Sequence, residues 1–262
     1  MPKPSFSPEK VIDIIYQSGK NLIPHFGNTK AIRYKTNSVT DSVTELDIRT
    51  EEFIRRELRA LDRSIGFKGE ELGTLGNSDR FWLIDPIDGT EFFRRGVWGC
   101  TNMLALIEEG KITFSIIYDF VTDSMYYAQK GKGAFSNKRK IRVSQRGLKN
   151  ALIYVEINID TKKNLSKYLE LDRVCLPLRG YPSGIHFTLA ASGKVEGRIG
   201  LDPWGKDYDF APGQLLVQEA GGIVRNIGKD TFDYKNLNYL AVNQEVYENL
   251  TTGKTPIFPI PQ

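Results

Sequence analysis

Cysteine is almost missing from this chain of 262 residues: Cys100 and Cys175 are its two examples. Two thiols so far apart build no disulfide framework for a chain this long, which points to a reducing compartment. Histidine is equally scarce, with His25 and His186 alone. A site made of several imidazoles is therefore excluded. Any metal must be held mostly by oxygen, which suits Mg²⁺, Mn²⁺ or Ca²⁺ better than zinc. No run approaches the roughly 18 apolar residues of a spanning helix, and no apolar signal core follows Met1-Pro2-Lys3-Pro4-Ser5. The expectation is a soluble cytoplasmic protein with no membrane partner. Charge of one sign is not concentrated either: 36 Lys and Arg against 32 Asp and Glu leave a dispersed net +4. Nucleic-acid proteins gather such charge into a stripe or arm, so no nucleic-acid polymer is expected as partner. A small anionic substrate needs only a few well-placed cations.

What is present suffices for a large core. Hydrophobic residues at 40% and charged residues at 26% are ordinary for one large domain or two coupled halves. Ser7-Pro8 reads as an N-cap and helix-opening proline before Val11, Ile14, Ile15, Ser18 and Leu22. Residues 44–61 form a second predicted helix. A short buried strand at 81–84 runs into Asp85-Pro86. Strand-like runs at 101–107, 113–118 and 124–128, separated by turn residues, predict an antiparallel meander. The pattern turns polar from 143 to 150, which divides the chain into halves 1–143 and 144–262 of one integrated catalytic unit. The second half shows strands near 151–155, 195–199, 223–225 and 239–242, and helices near 184–191 and 209–220. Interspersed elements without strict alternation imply a layered α/β or α+β chain, not a barrel.

The acidic residues carry the chemistry, because several stand where a carboxylate is unwelcome. On the 44–61 helix, Asp47 shares the inward face with Ile54, Leu58 and Leu61; a helix-terminal aspartate favoured by the macrodipole explains it equally well. Asp209 opens a helix on the packed side with Gly213, Leu216 and Ala220, where an ordinary N-cap is the simpler reading. Glu70-Glu71 fits a solvated loop between helix and strand. Asp85-Pro86-Ile87-Asp88-Gly89-Thr90 differs in kind. It follows an apolar strand, so Asp85 is placed at a strand's carboxyl end, where open α/β sheets bind ligands. Two carboxylates with the Ile87 carbonyl between them offer three oxygens to one region, although Asp-Gly alone usually marks a turn. If Asp47, Glu70, Asp85, Asp88 and Asp209 converge, only cations such as Mg²⁺ relieve their repulsion.

Four ordered segments resemble one family. Trp82-Leu83-Ile84-Asp85-Pro86-Ile87-Asp88-Gly89-Thr90 is similar to the WxIDPIDGT signature of the inositol monophosphatase family of Mg²⁺-dependent, lithium-sensitive phosphatases. Asp41-Ser42-Val43-Thr44-Glu45-Leu46-Asp47 resembles its helix-start motif, and Gly69-Glu70-Glu71 its GEE. Asp209-Phe210-Ala211 through Glu219-Ala220-Gly221-Gly222 resembles its last metal segment. The resemblance implies a five-layered αβαβα fold, usually a homodimer, holding two or three Mg²⁺ ions, with Mn²⁺ as a substitute. Carried over, Glu70, Asp85 and the Ile87 carbonyl would hold the first ion, and Asp85, Asp88 and Asp209 the second. Gly89 and Thr90 would offer N–H groups to the phosphate. Thr90 with Asp47 would orient and help deprotonate the attacking water. Asp47, Thr90 and Glu70 are thus the catalytic candidates. Lys35, Arg94 and Arg95 would add positive field, a solvated basic loop being the alternative for the arginines.

Departures from the family pattern fall on the substrate side. Phe92 replaces a usual Asn, Tyr208 the Trp before the last metal aspartate, and Pro212-Gly213 an Ala-Gly pair. Gly180-Tyr181-Pro182-Ser183-Gly184 stands for the usual substrate loop, which makes Ser183 a substrate candidate. Asp202, seven residues before Asp209, matches an acid that binds ring hydroxyls, or is a surface turn residue. The expected activity is phosphomonoester hydrolysis of a small metabolite by a metal-activated water, with inositol 1-phosphate first. Histidinol phosphate and 3′-phosphoadenosine 5′-phosphate are the alternatives, the last implying a 3′(2′),5′-bisphosphate nucleotidase. A regulatory protein acting on RNA or polymerase through the same fold is the rival class. An eroded ligand set would mark it, and here every acid and Thr90 is present.

Overall fold

A computed structural model of the chain describes residues 6–35, 42–180, 182–252 and 254–260. Asp41 of the helix-start motif and Tyr181 of the 180–184 segment lie outside the described residues.

Helix α1 (Pro8–Leu22) begins where Ser7 accepts the Lys10 N–H and buries Val11, Ile15 and Leu22 along one stripe. Strands β1 (Arg33–Tyr34) and β2 (Ser42–Val43) pair antiparallel ahead of α2 (Glu45–Leu61). Then follow β3 (Gly66–Gly69), β4 (Gly73–Leu75), β5 (Arg80–Asp88), the short α3 (Thr90–Arg95), β6 (Thr101–Glu108), β7 (Lys111–Asp119), β8 (Ser124–Gln129), β9 (Gly133–Ser136) and β10 (Arg139–Lys140). These strands form an eight-stranded sheet in the order β10-β9-β8-β7-β6-β5-β3-β4. The meander β6–β7–β8 is antiparallel, as its turn residues predict, and β3 runs parallel to β5.

The remaining elements are β11 (Leu152–Ile157), α4 (Lys162–Asp172), β12 (Leu176–Leu178), α5 (Ser183–Ala191), β13 (Gly197–Leu201), α6 (Asp207–Glu219), β14 (Ile223–Asn226), β15 (Tyr239–Val242) and α7 (Gln244–Thr251). Five of them make a second sheet, β12-β11-β13-β15-β14. Three apolar clusters stack the layers. One joins α1 and α2 to the outer face of the large sheet through Val11, Ile54, Trp82 and Phe114. A second seals α5 and α6 between the two sheets through Leu83, Phe187, Phe210 and Leu216. The third covers the far face of the small sheet with Leu171 of α4 and with Val246 and Leu250 of α7. The architecture is the expected α/β one, in five layers, αβαβα.

Several local expectations are corrected. Leu61 is exposed, not inward, because it is the last residue of α2 and the chain turns away at the extended Asp62. Strand β5 does not stop at Ile84 but continues to Asp88. Val195 precedes β13 because its N–H, with that of Lys194, closes the end of α5 on the Leu189 carbonyl. Asp209 is the third residue of α6, not its cap. Helix α4 was not anticipated; it buries Leu171 and packs Tyr168 against the small sheet's cluster, while Leu165 and Leu169 face solvent.

Candidate metal centre

The parallel pairing of β3 with β5 brings the first two acids together. Gly69 lies opposite Ile84, so the next residues, Glu70 and Asp85, are neighbours, and the Glu70 N–H donates to the Ile84 carbonyl at 3.1 Å. The alternation of a regular strand would send Asp85 and Asp88 to opposite faces. The pairing of β5 with β6 instead shifts between these two residues, a bulge-like irregularity that re-aims them. Two hydrogen bonds fix the irregular stretch: Asn102 Nδ2 donates to the Pro86 carbonyl at 2.6 Å, and the Ile87 N–H donates to Asp85 Oδ1 at 3.1 Å. Gly89 then turns into α3 at φ +85°, a conformation that disfavours a side chain. A Cβ there would also meet Pro182 Cγ at 2.2 Å, so Pro182 rests directly on this turn.

Helix α2 supplies Asp47, which is fully buried and takes part in the helix cap. Its Oδ2 accepts the Thr44 N–H at 2.7 Å and the Thr44 hydroxyl at 2.6 Å, which caps the helix. Its Oδ1 accepts the Thr90 hydroxyl at 2.7 Å. The helix-terminal role uses one oxygen and leaves the other for Thr90.

Helices α5 and α6 close the arrangement from the second sheet. Asp88 accepts the Gly184 N–H at 2.6 Å, the Ser183 N–H at 3.2 Å and the Thr101 hydroxyl at 3.3 Å. Asp209 accepts the Lys206 N–H, ordering the first turn of α6. One carboxylate oxygen from each of Asp85, Asp88 and Asp209 lies within 4.8 Å of the others. Lys68 on β3 meets Asp207 on α6 at 2.5 Å, tying the large sheet to α6 two residues from Glu70 and from Asp209.

Electrostatics set this group apart. Burial, with repulsion from Asp209, pushes Glu70 up to about 7 despite the Lys35 ammonium beside it. Burial and the charges of Glu70, Asp209 and Asp88 hold Asp85 well above the usual carboxylate range. Asp88 is pushed up to about 7 by burial, against the Gly184 N–H and the Arg198 charge. Asp209 is raised to about 7 by burial and by Asp88, although it keeps some solvent contact. Burial also raises Asp47. Crowded, desolvated oxygen donors fit a hard divalent cation, whose charge removes both penalties at once.

The other candidates are placed differently. Lys35 pairs with Glu70 at 2.6 Å and Glu71 at 2.5 Å. Arg94 and Arg95 both engage Glu91 and spend their charge there. Ser183 is buried at the start of α5. Asp202 is exposed at φ +47°, with its two carboxylate oxygens taken by the side-chain amides of Asn164 and Asn238. Two residues not singled out from the sequence, Arg198 and Glu156, form an ion pair between the small sheet and the site. The signal was a lone arginine in the otherwise small and apolar run Gly197-Arg198-Ile199-Gly200-Leu201.

The chain is similar to known proteins in sequence and in fold. The sequence model of the Inositol monophosphatase family matches residues 9–256. An inositol-1-monophosphatase of Rhizobium meliloti is 31% identical over 223 residues, 81% of this chain and 82% of that protein. A putative Nus factor SuhB of Neisseria meningitidis serogroup B is 29% identical, covering 88% of this chain and 90% of its own. Among solved structures, the extragenic suppressor protein suhB of Bartonella henselae superposes with a TM-score of 0.83 at 26% identity, covering 90% of this chain and 93% of that one.

Proposed function

Because the chain belongs to the inositol monophosphatase family, and so to the phosphoric monoester hydrolases, we propose that it releases phosphate from a small phosphorylated metabolite with the help of Mg²⁺. Inositol 1-phosphate is the first choice. The observation that carries this reading is the approach of Asp85, Asp88 and Asp209 within 4.8 Å in a largely dry site.

Glu70, Asp85 and the Ile87 carbonyl would hold one cation, and Asp85, Asp88 and Asp209 a second. Bound there, Mg²⁺ supplies Lewis-acid polarisation of the phosphoryl group and a water acidic enough to attack near neutral pH. Thr90 donates its proton to Asp47, which leaves its hydroxyl lone pairs to accept a hydrogen bond from the attacking water. The raised Asp47 is suited to receive a proton passed through Thr90. The N–H groups of Gly89 and Thr90 are the candidates for holding phosphate oxygens. Ser183 and Asp202 are the candidates on the alcohol side. Mn²⁺ as a substitute ion, inhibition by Li⁺, a homodimer and a cytoplasmic setting belong to the same reading.

The test is phosphate release from inositol 1-phosphate, histidinol phosphate and 3′-phosphoadenosine 5′-phosphate, with Mg²⁺ and with EDTA, repeated with Li⁺. Mg²⁺-stimulated release from one of the three is expected. No release from any, at any Mg²⁺ level, would sink the proposal. Similarity to a putative Nus factor of Neisseria favours a second reading, the regulatory protein acting on RNA or polymerase. That reading gains if Asp85→Asn leaves every measurable activity of the protein unchanged.

A further inference from the structure

Arg198 is fully buried on β13, its guanidinium between the rings of Phe187 and Phe210 at 4.6 Å from each centroid. Among the described residues its ion-pair partner is Glu156 of β11, bonded to Nη2. Nη1 donates to the Ser183 carbonyl at 3.4 Å. Each contact leads to an acid of the candidate second cation position. Ser183 opens the turn whose two N–H groups, its own and that of Gly184, hold both oxygens of Asp88. The other oxygen of Glu156 accepts the N–H groups of Trp204 and Gly205, each at 3.0 Å. Those residues precede α6, and a Cβ on Gly205 would lie 2.8 Å from Asp209 Oδ2.

We propose that Arg198, through Glu156 and Ser183, is the positioning residue for the second cation, holding Asp88 and Asp209 at the spacing that the ion requires. This rests on the phosphatase reading and adds a division of labour to it. Glu70 of the first position is braced from the other side, by Lys35 and by the β3–β5 pairing. Two opposite effects are at stake. As a bare charge, an arginine close to Asp88 repels a cation, so its removal would tighten binding. As a brace, it fixes ligands whose loosening costs affinity. Glu156 pairs with the charge, and the ring faces and the Ser183 carbonyl fix the geometry, so bracing dominates.

Mn²⁺ titration followed by electron paramagnetic resonance decides it, with wild type, Asp209→Asn, Arg198→Met and Glu156→Gln compared. The class of sites lost in Asp209→Asn identifies the second position. Arg198→Met is expected to weaken that class roughly tenfold while leaving the tighter class unchanged. Glu156→Gln keeps an oxygen for Trp204 and Gly205 but loses the ion pair, and is expected to weaken the same class by a smaller factor. If Arg198→Met does not fold, Glu156→Gln alone carries the decision. Unchanged affinity, tighter binding, or equal loss in both classes overturns the inference. A wild-type protein that binds no Mn²⁺ overturns the metal reading together with it, whereas two wild-type classes with unaltered variants overturn this inference alone.

Discussion

Two buried carboxylates, Glu196 and Asp85, are 3% and 1% exposed, yet they live in opposite circumstances. Glu196 has a complete set of donors: Arg146 Nε at 2.6 Å, the Leu152 N–H at 2.6 Å and the Ser144 hydroxyl at 3.2 Å. Among the described residues Asp85 accepts one N–H, that of Ile87, and otherwise faces Glu70, Asp88 and Asp209. Burial of an acid is therefore not by itself a sign of function. What marks a site is a buried acid for which the protein supplies repulsion instead of a counter-charge, because the missing charge must come from outside.

The sharpest way to break this comparison is to exchange the roles. Asp85→Asn keeps the shape and removes the charge shared by both cation positions, and should lower turnover by about a thousandfold. Phosphate-release assays at saturating Mg²⁺ measure it, and a loss of under tenfold would mean that the chemistry lies elsewhere. Thr90→Ala comes next. It removes a hydroxyl from Asp47 and from the Ile87 carbonyl, which it reaches at 2.7 and 3.1 Å. Turnover should drop about a hundredfold, with Mg²⁺ affinity held. A pure loss of Mg²⁺ affinity would make Thr90 a support for the Ile87 carbonyl and not a proton path.

Glu196→Gln supplies the control from the other side of the comparison. Turnover should stay within about threefold, while stability falls by about 2 kcal/mol through the lost charged hydrogen bonds. The larger penalty of a stranded buried charge does not arise, since Arg146 is 59% exposed. Urea unfolding with a parallel activity assay separates the two effects. Inactive but stable Glu196→Gln protein would erase the distinction between the two acids.

The recognisable part of the site was the part written in short stretches. Asp85 to Thr90 comes directly after the apolar run Phe81-Trp82-Leu83-Ile84, and Asp47 and Asp209 interrupt packed helix faces, so each acid broke a local pattern that periodicity exposes. Their meeting was implied by the family resemblance and was not legible in the local pattern. Glu70 reaches Asp85 because β3 pairs in parallel with β5, and β3 is Gly66-Phe67-Lys68-Gly69, with two glycines and no alternation to announce a strand. The re-aiming of Asp88 depends on an irregular pairing with β6, and no residue of β5 encodes that alone. Arg198 escaped for the same reason: its partners Glu156 and Ser183 come from other elements, 42 and 15 residues away. The layered fold followed from the interspersed elements, whereas α4 went unread although Leu165, Tyr168 and Leu169 stand at helical spacing.

The smallest expected effect is also the most specific. Asp209 sits at about 7 in the folded protein, against about 3.9 when unfolded. A raised carboxyl favours the folded state in its protonated form. Its penalty is thus absent below the unfolded value, grows from about pH 4 to about pH 7, and is constant above. Cation-free protein should accordingly lose stability across that window. Asp209→Asn removes this contribution cleanly, because an asparagine side-chain oxygen can still accept the Lys206 N–H while its NH₂ donates to Asp85. The gain in EDTA at pH 8 should be about 1 kcal/mol, since Glu70, Asp85 and Asp88 share the repulsion and relax together. At pH 5 the difference should shrink. Saturating Mg²⁺ should reverse the order, because the ion stabilises only a folded protein that binds it. Thermal melts at the two pH values, with EDTA and with Mg²⁺, measure all of this. Wild type more stable than Asp209→Asn in EDTA at pH 8 would show that the cluster is satisfied from within, as Glu196 is, and would remove the physical reason for a cation there.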